Sequence, residues 1–174
     1  MKKLIAIGIA VLFVLGVSVS AYALSANENV GVTLNVNAMF SMIVVDDEGD
    51  QLIELGLLNE GDTSGSNLTM YCSTNQGNPW SLQVKGEDLT NTGATLSIPV
   101  SSITFSTFAA GDEAGVGAVV GATPMTTADQ LAYTADATEY SDTDVRVSMA
   151  VSVLVPYGTT EDYYGGDLTI TMTE

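Results

Sequence analysis

Apolar and polar residues alternate with a period of two along most of the chain, and this pattern predicts β-strands. Every second side chain from Val145 to Val155 is apolar, and Leu168, Ile170 and Met172 alternate with threonines near the C-terminus. A strand with one apolar face is typical of a sheet that packs against a second sheet and keeps its other face in water. We therefore predict two stacked sheets.

The same alternation predicts further strands, and clusters of Asn, Asp, Gly and Pro predict the turns between them. Together they indicate an all-β fold, an immunoglobulin-like antiparallel β-sandwich of about seven to nine strands. Residues 109–143 are rich in Gly, Ala and Thr and predict a loop insertion, with a short strand over 130–135. The other predicted strands are 30–36 continuing through 39–45, 52–58, 68–72, 80–84, 96–98 and 103–105, and the predicted turns are 46–50, 59–62, 75–79 and 91–93.

The N-terminus has the three parts of a secretory signal peptide. Lys2 and Lys3 precede an apolar run over 4–17, and Ala21-Tyr22-Ala23 is a small-x-small cleavage site. An uncleaved anchor is the alternative, but the run is short for a span of about 20 residues. We predict a cleaved signal peptide over 1–23, a single domain over 24–174, and an extracytoplasmic location (secreted, periplasmic or cell surface) with no transmembrane span after cleavage.

The chain is strongly acidic, with 21 Asp and Glu against 4 Lys and Arg in 174 residues and a net charge of -17. Once the predicted signal peptide is removed, Lys85 and Arg146 are the remaining basic residues. Nucleic acid is excluded as a natural partner because phosphate binding needs clustered Lys and Arg. The partners we predict are other surface proteins, further copies of the chain, or cell-wall glycan.

The residue types that carry most enzyme chemistry are scarce. The chain has no histidine and a single cysteine, Cys72, on the inward face of a predicted strand. A buried thiol is inert, and without histidine the usual base at neutral pH and the commonest metal ligand are missing. We predict a protein that is not an enzyme, with no catalytic residue, cofactor or metal. An acid-pair hydrolase is a remote alternative because carboxylates are plentiful.

Two acidic loops are the candidates for calcium, since carboxylates suit this ion. The first is 46–50, and the second contains Glu139, Asp142 and Asp144. The first lacks the glycine and closing glutamate of an EF-hand. Solvated turns are therefore the favoured interpretation of both, with stiffening by calcium as the alternative.

Four aromatic residues are candidates for stacking on a sugar. Trp80 alternates in phase with the core positions, so we predict that it fills the interior. Tyr157, Tyr163 and Tyr164 lie near the last turn and are the predicted ligand-binding residues.

Two segments carry a family resemblance. The sequence from Asn78 to Val84, NPWSLQV, followed by LSIPV at 96–100, resembles the first motif of the WxL domains of bacterial surface proteins, and 164–173 resembles their final strand. In that final strand Ile170 and Met172 stand where the family has Trp and Leu. The ending is also similar to spore coat U-type secreted sandwiches, which usually carry paired cysteines. The resemblance implies a cell-surface sandwich, and for the WxL family attachment to peptidoglycan.

These observations predict an exported, non-catalytic structural or adhesive cell-surface protein, a subunit of a surface layer or filament. The long unprotected N-terminal strand predicted over 30–45 motivates assembly through strand edges. The alternative is a secreted carbohydrate-binding module stabilised by calcium.

Overall fold

The computed structural model describes residues 38–46, 48–49, 51–109, 111 and 113–174, all within the compact unit Asn37–Glu174. The predicted signal peptide and the predicted strand over 30–36 lie outside these ranges. Across the described ranges, no helix has the length and apolar character that a membrane crossing needs.

Apart from two 3-10 turns, all the regular secondary structure of the described residues is β-strand, and every pair of named strands is antiparallel. Eight strands have three residues or more, and β5, β7, β8 and β11 have two each. The predicted all-β, antiparallel fold is confirmed. The strands are β1 Phe40–Asp46, β2 Thr63–Thr74, β3 Ser81–Gly86, β4 Leu89–Asn91, β5 Ser97–Ile98, β6 Ile103–Phe108, β7 Ala118–Val119, β8 Thr123–Pro124, β9 Gln130–Thr134, β10 Val145–Leu154, β11 Tyr164–Gly165 and β12 Leu168–Thr173, with 3-10 turns η1 Val100–Ser102 and η2 Ala137–Glu139.

The strands form three sheets. A five-stranded sheet has the order β1-β2-β10-β6-β8, and a four-stranded sheet has the order β12-β3-β9-β7. Their inward side chains form one core, which includes Phe105 and Met149 from the first sheet and Leu82 and Tyr133 from the second. A small third sheet has the order β11-β4-β5 and shares no strand with the two larger sheets.

Alternation along the strands decides which side chains enter the core. In β10 the residues from Val145 to Val153 at every second position are buried, as the sequence predicts. Trp80 is 2% exposed, and its ring centroid lies 5.6 Å from that of Tyr133. The predicted interior position of Trp80 is therefore confirmed, and so is the buried position of Cys72, which is 1% exposed.

Two short connections join the two large sheets at corresponding strands. Residues 75–80 connect β2, the second strand of one sheet, to β3, the second strand of the other. Residues 135–144 likewise connect β9 to β10, the third strands. The two large sheets are therefore joined at two corresponding pairs of strands, β2 with β3 and β9 with β10.

The strand predicted over 52–58 does not form. This segment contains no strand residue, although Ile53 and Leu55 are half-buried against the core while Leu57 is 96% exposed. Its apolar alternation therefore reflects packing of an extended loop. Alternation alone does not supply the neighbouring strand that a ladder of hydrogen bonds requires.

Residues 109–143, predicted as a loop insertion, contribute to the sandwich. They contain β7, β8, η2 and the predicted short strand, which is confirmed as β9. Met125 and Ala132 are 0% exposed within the core. Most apolar residues of this segment are alanines, and the larger ones follow no regular period, so its core positions do not stand out in the sequence.

Candidate ligand site

An open cleft of about 200 Å³ lies beside the small third sheet. One wall comes from the segment that contains β5, and the other comes from the loop that follows β10 and from β11. The lining residues are Leu96, Ser97 and Pro99 on the first wall and Pro156, Tyr157, Gly158, Thr159, Thr160 and Tyr164 on the second.

The side chain of Asn91, in β4, ties the two walls together. Its Oδ1 accepts hydrogen bonds from the backbone N–H groups of Thr95 at 3.0 Å and Leu96 at 2.9 Å. Its Nδ2 donates to Asp162 Oδ2 at 2.9 Å. Asn91 is 8% exposed, so these bonds are largely shielded from water and hold both walls to one strand.

Asp162 is held in the charged form by its partners. The hydrogen bond from Asn91 is the main cause that lowers the pKa of this carboxyl, and the backbone N–H of Tyr163 adds a second one at 2.8 Å. Asp162 is not among the lining residues of the cleft. Its charge therefore organises the loop from outside the lining.

Tyr157 stands at the corner of a tight turn. The N–H of Thr159 donates to the carbonyl of Pro156 at 3.3 Å, and Gly158, at the third turn position, has φ +87°. A type II turn requires this left-handed conformation, which glycine adopts without strain. The Tyr157 ring is 86% exposed, and its hydroxyl lies over Gly61, where an added Cβ would be 2.8 Å from the oxygen.

Tyr164 is fixed more firmly than Tyr157. Its backbone pairs with Asn91 in the third sheet, and its hydroxyl donates to the carbonyl of Thr160 at 2.7 Å. The side chain is half-buried. A ring held by both its backbone and its hydroxyl loses little conformational entropy when a ligand stacks on it.

The structure brings together two of the three predicted ligand-binding tyrosines. Tyr157 and Tyr164 line the same cleft, while Tyr163 is 84% exposed but is not part of the lining. The adjacent residues Tyr163 and Tyr164 differ because successive side chains of an extended segment point to opposite faces.

The lining contains no Asp, Glu, Lys or Arg. It offers aromatic and proline surface together with the hydroxyl groups of Ser97, Thr159 and Thr160. Such a surface can stack on a ring and exchange hydrogen bonds.

A second polar cluster is buried in the sandwich around Glu139, which is 3% exposed. The carboxylate accepts hydrogen bonds from the N–H groups of Val116 at 2.8 Å and Asp136 at 2.7 Å, and from the Tyr133 hydroxyl at 2.7 Å. The Tyr133 oxygen accepts from the N–H of Gly117 at 2.7 Å. These bonds fasten residues 116–117 to the end of β9, so the cluster serves packing.

The buried carboxylate alters the acidity of its neighbours. Burial is the first cause, and the charge of Glu139 the second, that raises the pKa of the Cys72 thiol to about 12. Burial, followed by the hydrogen bond to Glu139, raises the pKa of Tyr133 well above its usual range. Neither group therefore ionises near neutral pH in the folded protein.

The expectation that Glu139 belongs to a solvated acidic loop was wrong, because its side chain turns inward. The signal in the sequence is Asp136 three residues before Glu139, the spacing of a capping box. Both reciprocal bonds of that box are present at η2. The two other acids of this loop, Asp142 and Asp144, are exposed.

The first acidic loop is a hydrogen-bonded turn where it is described. Asp46 Oδ1 accepts from the N–H groups of Glu48 and Gly49, both at 2.9 Å, while Asp47 and Asp50 lie outside the described residues. Within the described ranges, no group of three or more His, Cys, Asp or Glu is placed to hold a metal ion. Calcium binding stays an untested alternative.

No protein-family model matches this chain, and no curated protein matches its sequence. Among solved structures, the chain is similar to a family 123 glycoside hydrolase from Clostridium perfringens, with 15% identity and a TM-score of 0.43. The match covers 66% of this chain and 19% of the enzyme, so the chain spans about a fifth of that protein's length. The resemblance to WxL and spore coat U-type proteins stays a prediction.

Proposed function

We propose that this chain is an exported, non-catalytic structural or adhesive domain of the cell surface, which joins a layer or filament by pairing at the edge of β12. The observation that carries the proposal is the character of this strand. β12 is an end strand of its sheet, and among the described strands it pairs only with β3. Edge pairing is a common route to such assemblies.

The sequence of β12 lacks the devices that normally protect an edge. Its six residues, LTITMT, include no charged residue and no proline, and its pairing with β3 runs in register without a bulge. Natural edge strands are usually shortened, charged or bulged because an open edge pairs with other chains. An edge of this length without such protection favours strand addition.

Within the part of the chain that the structure describes, the inner face of β12 is only partly covered. Leu168, Ile170 and Met172 are half-buried, whereas Leu82 and Val84 of the neighbouring strand β3 are 0% and 1% exposed. A strand added beside β12 would remove further apolar surface from water. Association would then gain hydrophobic free energy in addition to backbone hydrogen bonds.

The acidic charge acts against association between copies of the chain. A net charge of -17 makes copies repel one another, and salt screens that repulsion. We expect assembly to strengthen as the ionic strength rises. A layer or filament at a cell surface, where local concentration is high, is consistent with this balance.

The test places a charge on the edge. Thr171→Lys puts an ammonium on the exposed face of β12, opposite Gln83, and Thr127→Lys adds the same charge in an exposed loop. We expect Thr171→Lys to raise the concentration for half-assembly about tenfold in light scattering, and Thr127→Lys to match the wild type. Equal assembly by both variants and the wild type would overturn the edge model.

A further inference from the structure

We infer that the cleft between Tyr157 and Tyr164 is a binding site for a neutral saccharide. This site is separate from the β12 edge and does not depend on assembly. Tyr157 and Tyr164 line the same cleft; the Tyr157 side chain is 86% exposed, and the Tyr164 ring is tethered by the hydrogen bond from its hydroxyl to Thr160. Aromatic rings with one exposed face and a fixed position are suited to stacking on the apolar face of a sugar ring.

Charge selects against ionic ligands. The lining carries no acidic or basic side chain in a protein whose net charge is -17. An anionic ligand would be repelled by the protein as a whole and would meet no cation in the lining. A cationic ligand would be drawn to the protein but would meet no carboxylate in the lining. An uncharged ligand is not repelled by the protein and needs no ionic partner in the lining.

Hydrogen-bonding groups distinguish a saccharide from a proline-rich peptide. Peptides of that class dock on aromatic grooves that donate hydrogen bonds to their carbonyl groups. In this cleft the Tyr164 hydroxyl hydrogen is already donated to Thr160, and that of Thr159 to the carbonyl of Pro156 at 2.7 Å. Sugar hydroxyls both donate and accept, so they can bond to the phenolic oxygen and to the exposed hydroxyl of Ser97.

The cleft is preorganised, which makes binding possible despite its small size. Asn91 links one wall through Leu96 and the other through Asp162. At about 200 Å³ the cleft is smaller than the clefts of about 300–1,000 Å³ that enclose drug-sized ligands. It therefore suits a short stretch of a longer glycan. We expect a dissociation constant of about 1 mM for a single site.

The experiment uses the full chain and a panel of neutral oligosaccharides, namely gluco-, galacto-, manno- and N-acetylhexosamine oligomers, titrated by NMR up to about 10 mM. Two exposed tyrosines provide a matched pair, since Tyr157 is 86% exposed in the cleft and Tyr163 is 84% exposed outside it. We expect at least one oligosaccharide to bind. Tyr157→Ala should weaken that binding about tenfold, and Tyr163→Ala less than about twofold.

A third variant, Tyr164→Phe, keeps the ring and removes its tether to Thr160, and we expect a loss of a few-fold. Because Tyr157 and Tyr163 are exposed, near-ultraviolet circular dichroism should show both alanine variants folded. Three results would overturn the inference: no binding by any oligosaccharide of the panel, an equal loss in Tyr157→Ala and Tyr163→Ala, or binding at the cleft by a proline-rich peptide or tetramethylammonium alone. None of them bears on the β12 edge, whose test uses Thr171.

Discussion

Asn91 and Asp162 are 71 residues apart in sequence, and a hydrogen bond of 2.9 Å from the Asn91 amide to the Asp162 carboxylate joins them. The same amide side chain accepts two backbone N–H groups from the opposite wall of the cleft. One buried side chain therefore links the two walls, in addition to the backbone pairing of β5 and of β11 with β4.

Replacing Asn91 by alanine should loosen both walls. The change leaves the N–H groups of Thr95 and Leu96 without their acceptor, and a loss of about 1–3 kcal/mol in the free energy of unfolding is expected. Urea unfolding measures this loss, and hydrogen exchange at Leu96 should accelerate. The exposed Asn78→Ala is the control, and an equal effect of both substitutions would contradict the role of Asn91.

The link between these residues also predicts a pH dependence. The pKa of Asp162 is lowered from its ordinary value of 3.8, so its stabilising effect is present above that value and is lost as the pH falls through the lower folded value. An NMR titration of the Asp162 carboxyl should show the lowered pKa. In Asn91→Ala it should rise towards 3.8 without reaching it, because the Tyr163 N–H remains.

Glu139→Gln should destabilise the sandwich strongly. The amide group replaces one accepting oxygen with a donor that faces the N–H groups of Val116 or Asp136, and a cost of about 1–3 kcal/mol or more is expected. Thermal or urea unfolding gives the cost. Glu60→Gln removes the same charge at an exposed position, and its stability should equal that of the wild type.

Alkaline solution should destabilise the protein through Cys72 and Tyr133. The pKa of Cys72 is raised from 9.0 to about 12 in the folded state. The free energy of unfolding therefore keeps its full value below pH 9.0, the pKa of the thiol in the unfolded chain. It falls between pH 9.0 and the folded pKa of about 12, by up to about 1.4 kcal/mol per pH unit. Tyr133 adds a further loss of stability above pH 10.0, which is its ordinary pKa.

Urea unfolding at increasing pH measures this loss, and Cys72→Ala should give a shallower pH dependence because one of the two groups is gone. Iodoacetamide should label Cys72 only in the unfolded chain, since the thiol is 1% exposed. Rapid labelling of the folded protein would contradict the buried position.

The fold was largely predictable because burial on one face leaves a period-two pattern. β10 and β12 were located from that pattern, and the interior position of Trp80 followed from its phase. The same pattern failed over 52–58, since packing of a loop against a core produces alternation without a strand partner. Local periodicity reports burial, and it reports pairing only indirectly.

The cleft was predictable only in part. The sequence indicated Tyr157, Tyr163 and Tyr164 as candidates, yet the exclusion of Tyr163 from the lining depends on the pairing of β11 with β4. Asn91 was predicted to lie in a turn, because Asn is common there. Its bonds to Thr95 and Leu96 are local, but its bond to Asp162 joins residues 71 apart in sequence, and no local pattern encodes that contact.

The most direct test of the proposed function is the native mass of the chain recovered from its cells, measured together with its location by fractionation. We predict a cell-surface or secreted protein whose native masses are multiples of the mass of one subunit. The share of the protein in these multimers should increase at higher salt. A cytoplasmic protein, or a secreted one that remains a single subunit at every concentration and salt level, would contradict it.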